Sequence, residues 1–236
     1  MRVSRLSQSS GVLSVNSISR RTALEVFHEA ETFVKTNYPR ELAEVHRFLD
    51  INPEHIGKTD FFIQYTHVVY CSGFKYSVVV KNWDKIADAW CQFDPYEVAE
   101  NIETCKEKAS QIINHQGKIK AIADTAQWLS KISGTYLTRF ILDAQKKIDL
   151  FKRLGYIGDV TKYHLGICMG FDVIKPDVHL QRIADHFNLD PFEMCDVLSQ
   201  QTGHPKRVVD AILWRASEQG SVHLSSNSMD SIDDKT

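Results

Sequence analysis

The stretch that most constrains this 236-residue chain runs from Leu154 to Arg182, LGYIGDVTKYHLGICMGFDVIKPDVHLQR. It holds two helical apolar patterns joined by a turn short enough to force a tight reversal. Upstream, Ile141, Ala144, Ile148, Phe151 and Leu154 recur at the three-and-four spacing of one helix face. Downstream, Val160, Tyr163, Ile167 and Phe171 do the same. Between them, Leu154-Gly155-Tyr156-Ile157-Gly158 supplies glycines where the backbone must turn. The second helix is expected to end near Gly170. Lys175-Pro176 then imposes an extended pre-proline residue, and a new helix is expected to start close to Asp177. A carboxylate in that place is held by the free backbone N–H groups of a helix N-terminus.

The rest of the chain reads as further helices. One is expected over about 22–37, with Ala23, Val26, Phe27, Ala30, Phe33 and Val34 on one face, and Pro39 breaks it. A second covers about 41–49. An apolar helix runs from Asp60 through Phe61, Phe62, Tyr65, Val68 and Val69 to about Tyr70, where Cys71-Ser72-Gly73 interrupts. Phe74–Lys81 is rich in β-branched residues and fits strand or helix equally. Helices follow over about 84–92, 95–101, 103–113 and 118–130, then 180–187, 191–200 and 205–216. Pro191 and Pro205 open the last two, as first-turn prolines do. There is no internal repeat and no sustained strand alternation, so the expected class is all-α.

Composition narrows the setting. Hydrophobic residues make up 43% and charged residues 25%, and no apolar run reaches the roughly 18 residues of a membrane span. Met1–Arg21 lacks a continuous apolar core, so no signal peptide and no membrane partner are expected, and the protein is placed in the cytoplasm. Residues 1–21 are expected to be flexible, with Val12, Leu13 and Val15 as candidates for a short strand or turn. The Ser- and Asp-rich end, 218–236, is expected to be disordered. The five cysteines are odd in number and sit in helical patterns, which fits reduced thiols. No His-Glu-x-x-His or Cys-x-x-Cys occurs, and His164, His179 and His186 do not share a helix face, so no metal site is expected. His164 reads as a core histidine and His179 as structural. Arg182 fits either a phosphate or carboxylate partner or an exposed helix arginine.

The hairpin together with Pro176-Asp177-Val178-His179-Leu180-Gln181-Arg182 resembles the helix-hairpin-helix DNA glycosylase superfamily, which includes endonuclease III and the 3-methyladenine glycosylases. In that family a Leu-Pro-Gly-hydrophobic-Gly hairpin grips a DNA phosphate through backbone N–H groups. A catalytic aspartate follows in a context like Val-Asp-x-His-x-x-Arg; here Asp177 lies 19 residues beyond Gly158. The resemblance implies a two-lobed all-α fold with a cleft between the lobes. The central helical bundle would be 59–176, and the second lobe would combine 22–58 with 177–217 from both ends of the chain. Looser similarity to 3-methyladenine glycosylases extends over about residues 60–215.

What the resemblance implies about roles is specific. Asp177 would be the catalytic carboxylate, steadying the positive charge that develops on the deoxyribose. Leu154, Gly155, Tyr156, Ile157 and Gly158, with Val160 and Thr161 at the start of the next helix, would meet DNA. His115 or Gln116, in the polar loop Asn114–Gly117, would fill the gap left by a flipped base. Tyr70, Phe74 and Tyr76 offer stacking surfaces for that base, with Lys175 beside them. The partner would be double-stranded DNA carrying a damaged or modified base, bound by a monomer near the nucleoid. Two departures stand out: Gly155 replaces the family's proline, and Tyr156 replaces its first glycine. Val160 occupies the place where strand-cutting members keep a lysine, so the activity implied is a monofunctional glycosylase. Only Cys195 follows Asp177, which excludes the family's iron–sulfur loop. No cofactor is required, though the hairpin carbonyls would suit a potassium or sodium ion. The net charge of −2 departs from the basic footprint of a DNA-binding protein, although Lys146, Lys147, Lys152 and Arg153 crowd the approach to the hairpin. A non-catalytic helix-hairpin-helix DNA-binding protein is the alternative.

Overall fold

The computed structural model describes residues 21–222 and 224. The expectations for 1–20 and 225–236 lie outside that range. Thirteen α-helices and three 3-10 turns are described, and no strand occurs among these residues. The all-α expectation therefore holds. The ambiguous stretch after Cys71 resolves as helix from Tyr76, with only Val79 of its β-branched residues turned into the core.

Helix starts follow from local chemistry. Thr22 and Glu25 form a reciprocal capping box at the start of α1 (Ala23–Asn37). α2 (Pro39–Leu49) begins on a proline. Asp94, Asp177 and Asp190 each accept two backbone N–H groups, opening α6 (Pro95–Glu100), α11 (Val178–His186) and α12 (Pro191–Thr202). Each such cap is worth about 1 kcal/mol. The remaining helices are α3 (Lys58–Cys71), α4 (Tyr76–Lys81), α5 (Trp83–Ala89), α7 (Ile102–Ile112), α8 (Gln116–Lys131), α9 (Gly134–Lys146), α10 (Thr161–Cys168) and α13 (Lys206–Glu218).

Two hydrophobic clusters organise them. Phe61, Phe62 and Tyr65 of α3, Ile119 and Ile122 of α8, Ile141 of α9 and Leu165 of α10 belong to the first. The second joins Phe27 and Val34 of α1 to Leu180 of α11, Leu198 of α12 and Ile212 of α13, so it draws on both ends of the chain. A fully buried side chain such as Phe27 contributes roughly 1.5–3 kcal/mol.

The structure shifts several boundaries. Residues 53–58 are expected from the sequence in the lobe built from the chain ends. Instead the 3-10 turn Pro53–His55 packs on α9, and Ile56 lies against the first cluster. Ile174, expected in the bundle, belongs to the second cluster, while Val222 and Leu224, expected in a disordered tail, pack on that same cluster. Apolar side chains close to an uncovered core are captured by it even when the surrounding sequence is polar. The helix before the hairpin also ends early. Lys147 leaves helical geometry, and a 3-10 turn, Ile148–Arg153, carries Phe151 into a stacked contact with Phe171 at 5.8 Å. α10 stops at Cys168, and Gly170 then takes φ +83°, where a Cβ would sit 2.4 Å from the Ile51 carbonyl oxygen. The helix thus ends close to Gly170 as expected, and Phe171, on the same apolar pattern, follows it.

Candidate active-site cleft and hairpin

The hairpin is anchored from below. Tyr65 of α3 donates its hydroxyl to the Gly155 carbonyl at 2.8 Å, with the Ala121 carbonyl at 3.2 Å as a shared acceptor. Leu154 and Ile157 are buried. Tyr156 adopts φ +60°, the left-handed conformation that a glycine at this place adopts without strain. Its ring lies over the first turn of α8, where a Cβ on Gly117 would be 2.2 Å from the phenol oxygen. Close approach thus needs a glycine on both sides: a Cβ on Gly155 would lie 2.8 Å from the Ala121 Cβ.

His115 ties the same region together. It caps α8 by accepting the Lys118 N–H at 3.4 Å, and its ring meets Tyr156 edge-on at 5.5 Å and Phe74 at 6.2 Å. Gln116 is exposed and reaches back to Asn114. Lys118 is buried and donates its amine to the carbonyls of Val69 and Ser72 at the end of α3. Burial pulls its pKa down to about 8. The expected wedge loop and the expected hairpin are therefore one continuous surface.

The hairpin's own hydrogen bonds bear on what it can bind. Gly158 donates its N–H to the Thr161 hydroxyl at 2.7 Å, and that hydroxyl donates to the Tyr156 carbonyl at 3.3 Å. The Leu154 and Gly158 carbonyls accept from Ile157 and Lys162 backbone N–H groups. Four hairpin carbonyls (Leu154, Gly155, Tyr156, Gly158) thus already serve protein donors, a poor fit to a cation cradle, and no step is derived through such an ion. Val160 is exposed. Lys152 is drawn to Asp159 at 2.5 Å and Lys162 to Asp149 at 2.7 Å. Lys146, Lys147 and Arg153 are exposed and form no ion pair among the described residues.

A cleft of about 600 Å³ opens between the two clusters. One side is formed by His67 and Cys71 of α3, Phe74, Tyr76 and His164 of α10, and the other by α2, α13 and Lys175. His67 and His164 meet edge-on at 5.9 Å. Burial, reinforced by the Lys175 charge, holds His67 below its ordinary pKa and pushes His164 down to about 3, so both imidazoles are neutral. Arg207 also lines the cleft, and its buried guanidinium nitrogens have no hydrogen-bond partner. Arg215 pairs with Glu41 and Glu218.

Lys175 lines the cleft and Asp177 stands behind it. One Asp177 carboxylate oxygen accepts the N–H groups of His179 at 3.0 Å and Leu180 at 3.3 Å, and the other faces the Lys175 amine at 3.2 Å. Asp177 is one ion pair behind the cleft wall, since Lys175 lines the cleft and Asp177 does not. The Lys175 backbone N–H donates at 2.9 Å to Asp210 of α13, a buried carboxyl on the wall itself. Desolvation, with Asp177 adding to it, pushes the Asp210 pKa up to about 7, against the Lys175 N–H and charge.

The site brings together Phe74, Tyr76 and Lys175 from the expected base pocket, and His115 with Tyr156 from the expected DNA surface. Tyr70 does not join them. It has no exposed surface and accepts from Trp90 Nε1 at 3.2 Å, because the α3 face carrying it is sealed by α5 and the turn after it. His164, expected in the core, lines the cleft instead. His179 is structural as expected, but only in part: it contacts Ser217 at 3.2 Å and also lines the cleft. Arg182 is an exposed helix arginine, one of its two expected readings, and donates to the same Ser217 hydroxyl at 2.7 Å. Asp210 and Arg207 escape a reading of the sequence alone. The available signal is one acid inside the apolar run Val208-Val209-Asp210-Ala211-Ile212. No family model, curated protein or solved structure matches the chain. No helix of the described residues is long and apolar enough to cross a membrane.

Proposed function

We propose that the chain is a monofunctional DNA glycosylase, hydrolysing the N-glycosidic bond of a damaged or modified base turned out of the duplex. The observation that carries this reading is the placing of Asp177. Its carboxylate is fixed by two backbone N–H groups and by Lys175, and Lys175 lines a cleft whose volume, about 600 Å³, falls within the usual range for small-ligand sites, roughly 300–1,000 Å³. The Tyr156–His115 surface reaches that cleft through Phe74.

On this reading the hairpin positions the backbone, His115 fills the vacated stack, and the extruded base enters between Phe74 and Tyr76. As the glycosidic bond lengthens, positive charge spreads over the sugar, and the Asp177 carboxylate stabilises it in a site with little water to screen it. Water then adds at C1′ and the strand stays intact. No lysine is poised for covalent attack among the described residues. Lys118 is held by two carbonyls, Lys162 by Asp149, and Lys175 faces Asp177 as an ammonium ion without a lone pair.

The alternative, a helix-hairpin-helix DNA-binding protein without turnover, is favoured by one observation: the Gly158 N–H already has a partner within the hairpin. Incubation with a panel of single-lesion duplexes, followed by alkali, separates the two. An alkali-labile site in a lesion strand supports the glycosylase. Binding to duplex with no such site in any member leaves the binder.

A further inference from the structure

We propose that Asp210 is a second catalytic carboxyl, delivering a proton to the departing base, and that the site is therefore built for bases that are uncharged while still attached to DNA. This rests on the glycosylase reading of the same cleft.

The geometry is a pair of carboxyls held by one residue. The backbone N–H of Lys175 binds one Asp210 oxygen at 2.9 Å, and the side chain of the same lysine binds Asp177 at 3.2 Å. The two acids are thus tied to opposite ends of Lys175, Asp210 on the cleft wall and Asp177 one ion pair behind it. The second Asp210 oxygen makes no hydrogen bond among the described residues, and the residue lines the cleft while only 6% exposed. The first oxygen ties the loop before α11 to α13 through the Lys175 N–H, and that role leaves the second oxygen unused. Val208, Val209 and Ile212 neighbour it in sequence, and as a residue of the cleft wall it can offer its second oxygen to a ligand or to water. The environments of the two acids differ in the direction that acid–base work requires. Asp177 has two N–H donors and an ammonium partner. Asp210 has one neutral donor, and its burial lifts its pKa to about 7, so it carries a proton under mildly acidic to neutral conditions.

Several other ionisable groups belong to this neighbourhood. Lys175 and Asp177 face Asp210 from the loop and the start of α11, and Cys195 does so from α12. Across the cleft stand His67 and His164, both held neutral by burial, and Glu41 of α2 is paired with Arg215. Arg207, one turn earlier on α13, adds an unpartnered guanidinium to the same wall.

The step balances as follows. The C1′–N bond breaks, and its electron pair stays with the base. The proton on the free oxygen of Asp210 moves to a base nitrogen or carbonyl oxygen, leaving a carboxylate and a neutral departing base. A water oxygen bonds to C1′, and its proton passes by way of Asp177 to solvent. Asp210 is reprotonated by solvent once the base has left.

The test uses the full chain in single-turnover assays on single-lesion duplexes, comparing uncharged lesions such as hypoxanthine or uracil with the cationic 7-methylguanine. Excision of an uncharged base should slow as pH rises through about 7, because the proton donor is lost. Asp210→Asn should abolish that falling limb and cost about 10²–10⁴-fold on the uncharged base. Any 7-methylguanine excision should lose far less, since that base departs without needing a proton. Comparing both lesions on one preparation removes folding differences, and the wild-type pH profile needs no variant. Excision confined to cationic lesions overturns the proposal, as does a pH profile without the falling limb or an Asp210→Asn loss equal on both lesion types. Absence of excision on every duplex instead removes the glycosylase reading itself.

Discussion

Replacing Asp177 by asparagine separates its structural role from its chemical one. The side-chain oxygen of the introduced amide would still accept the His179 and Leu180 N–H groups, and asparagine caps helices as well as aspartate does. What is lost is the ion pair to Lys175. The Lys175 and Asp177 side chains are 28% and 15% exposed, between a surface pair worth about 0–1 kcal/mol and a buried one costing about 3–5 kcal/mol to break, which sets the loss at about 1–2 kcal/mol. A domain with the usual stability of roughly 5–15 kcal/mol stays folded after that change. The effect on excision should be far larger. Removing a preorganised group that faces developing charge costs about 10²–10³-fold, roughly 2.7–4 kcal/mol of transition-state stabilisation. Asp177→Ala should show the same loss of rate plus about 1 kcal/mol of further instability from the missing cap. Urea unfolding measures the first quantity and single-turnover excision the second. If Asp177→Asn excises within a few-fold of wild type on a lesion the wild type removes, the catalytic assignment is wrong. If the two variants are equally stable, the capping argument is wrong.

Three further outcomes follow from the geometry. Gly158 is exposed and has nothing closer than the Thr161 hydroxyl at 4.0 Å from a built Cβ, so Gly158→Glu should fold normally yet bind every duplex more weakly; titrations over a salt series that show unchanged affinity would remove the hairpin as a DNA anchor. With Val160 where an amine would be needed, borohydride should trap no covalent complex, and strand breaks should appear only after alkali; an adduct that disappears in Lys175→Ala or Lys162→Ala would identify the nucleophile. Asp210 also sets a pH dependence of stability. Its folded pKa of about 7 lies above the roughly 3.9 of an unfolded aspartate, so the folded chain holds a proton that the unfolded chain releases, and stability falls as pH rises through that window. Urea midpoints at about pH 5 and about pH 8 should show this drop in the wild type and a smaller one in Asp210→Asn, and equal drops would contradict it.

Local rules make much of the chain legible. Three-and-four spacing marks most of the helices, and the pre-proline residue with the apolar run after it places Asp177 at a helix start, as the structure shows. His115, Tyr156, Phe74 and Lys175 come under suspicion only through the resemblance to the glycosylase superfamily. The helix and cap signals reside in a few consecutive residues, and backbone sterics and hydrogen bonding act at that range. Burial does not. Tyr70 and Phe74 are four residues apart and equally aromatic, yet Trp90 seals one while the other faces the cleft. The hairpin's tyrosine is tolerated because Gly117, far away in sequence, leaves room for its ring. Asp210 looks like an interruption in an apolar stripe until α13 is set against Lys175. The sequence by itself determined the helices, their caps and the turn between them, since each depends on neighbours along the chain. Only the tertiary structure decided which carboxyl has its pKa raised by burial and which aromatic rings line the cleft, because desolvation depends on what packs from distant parts of the chain.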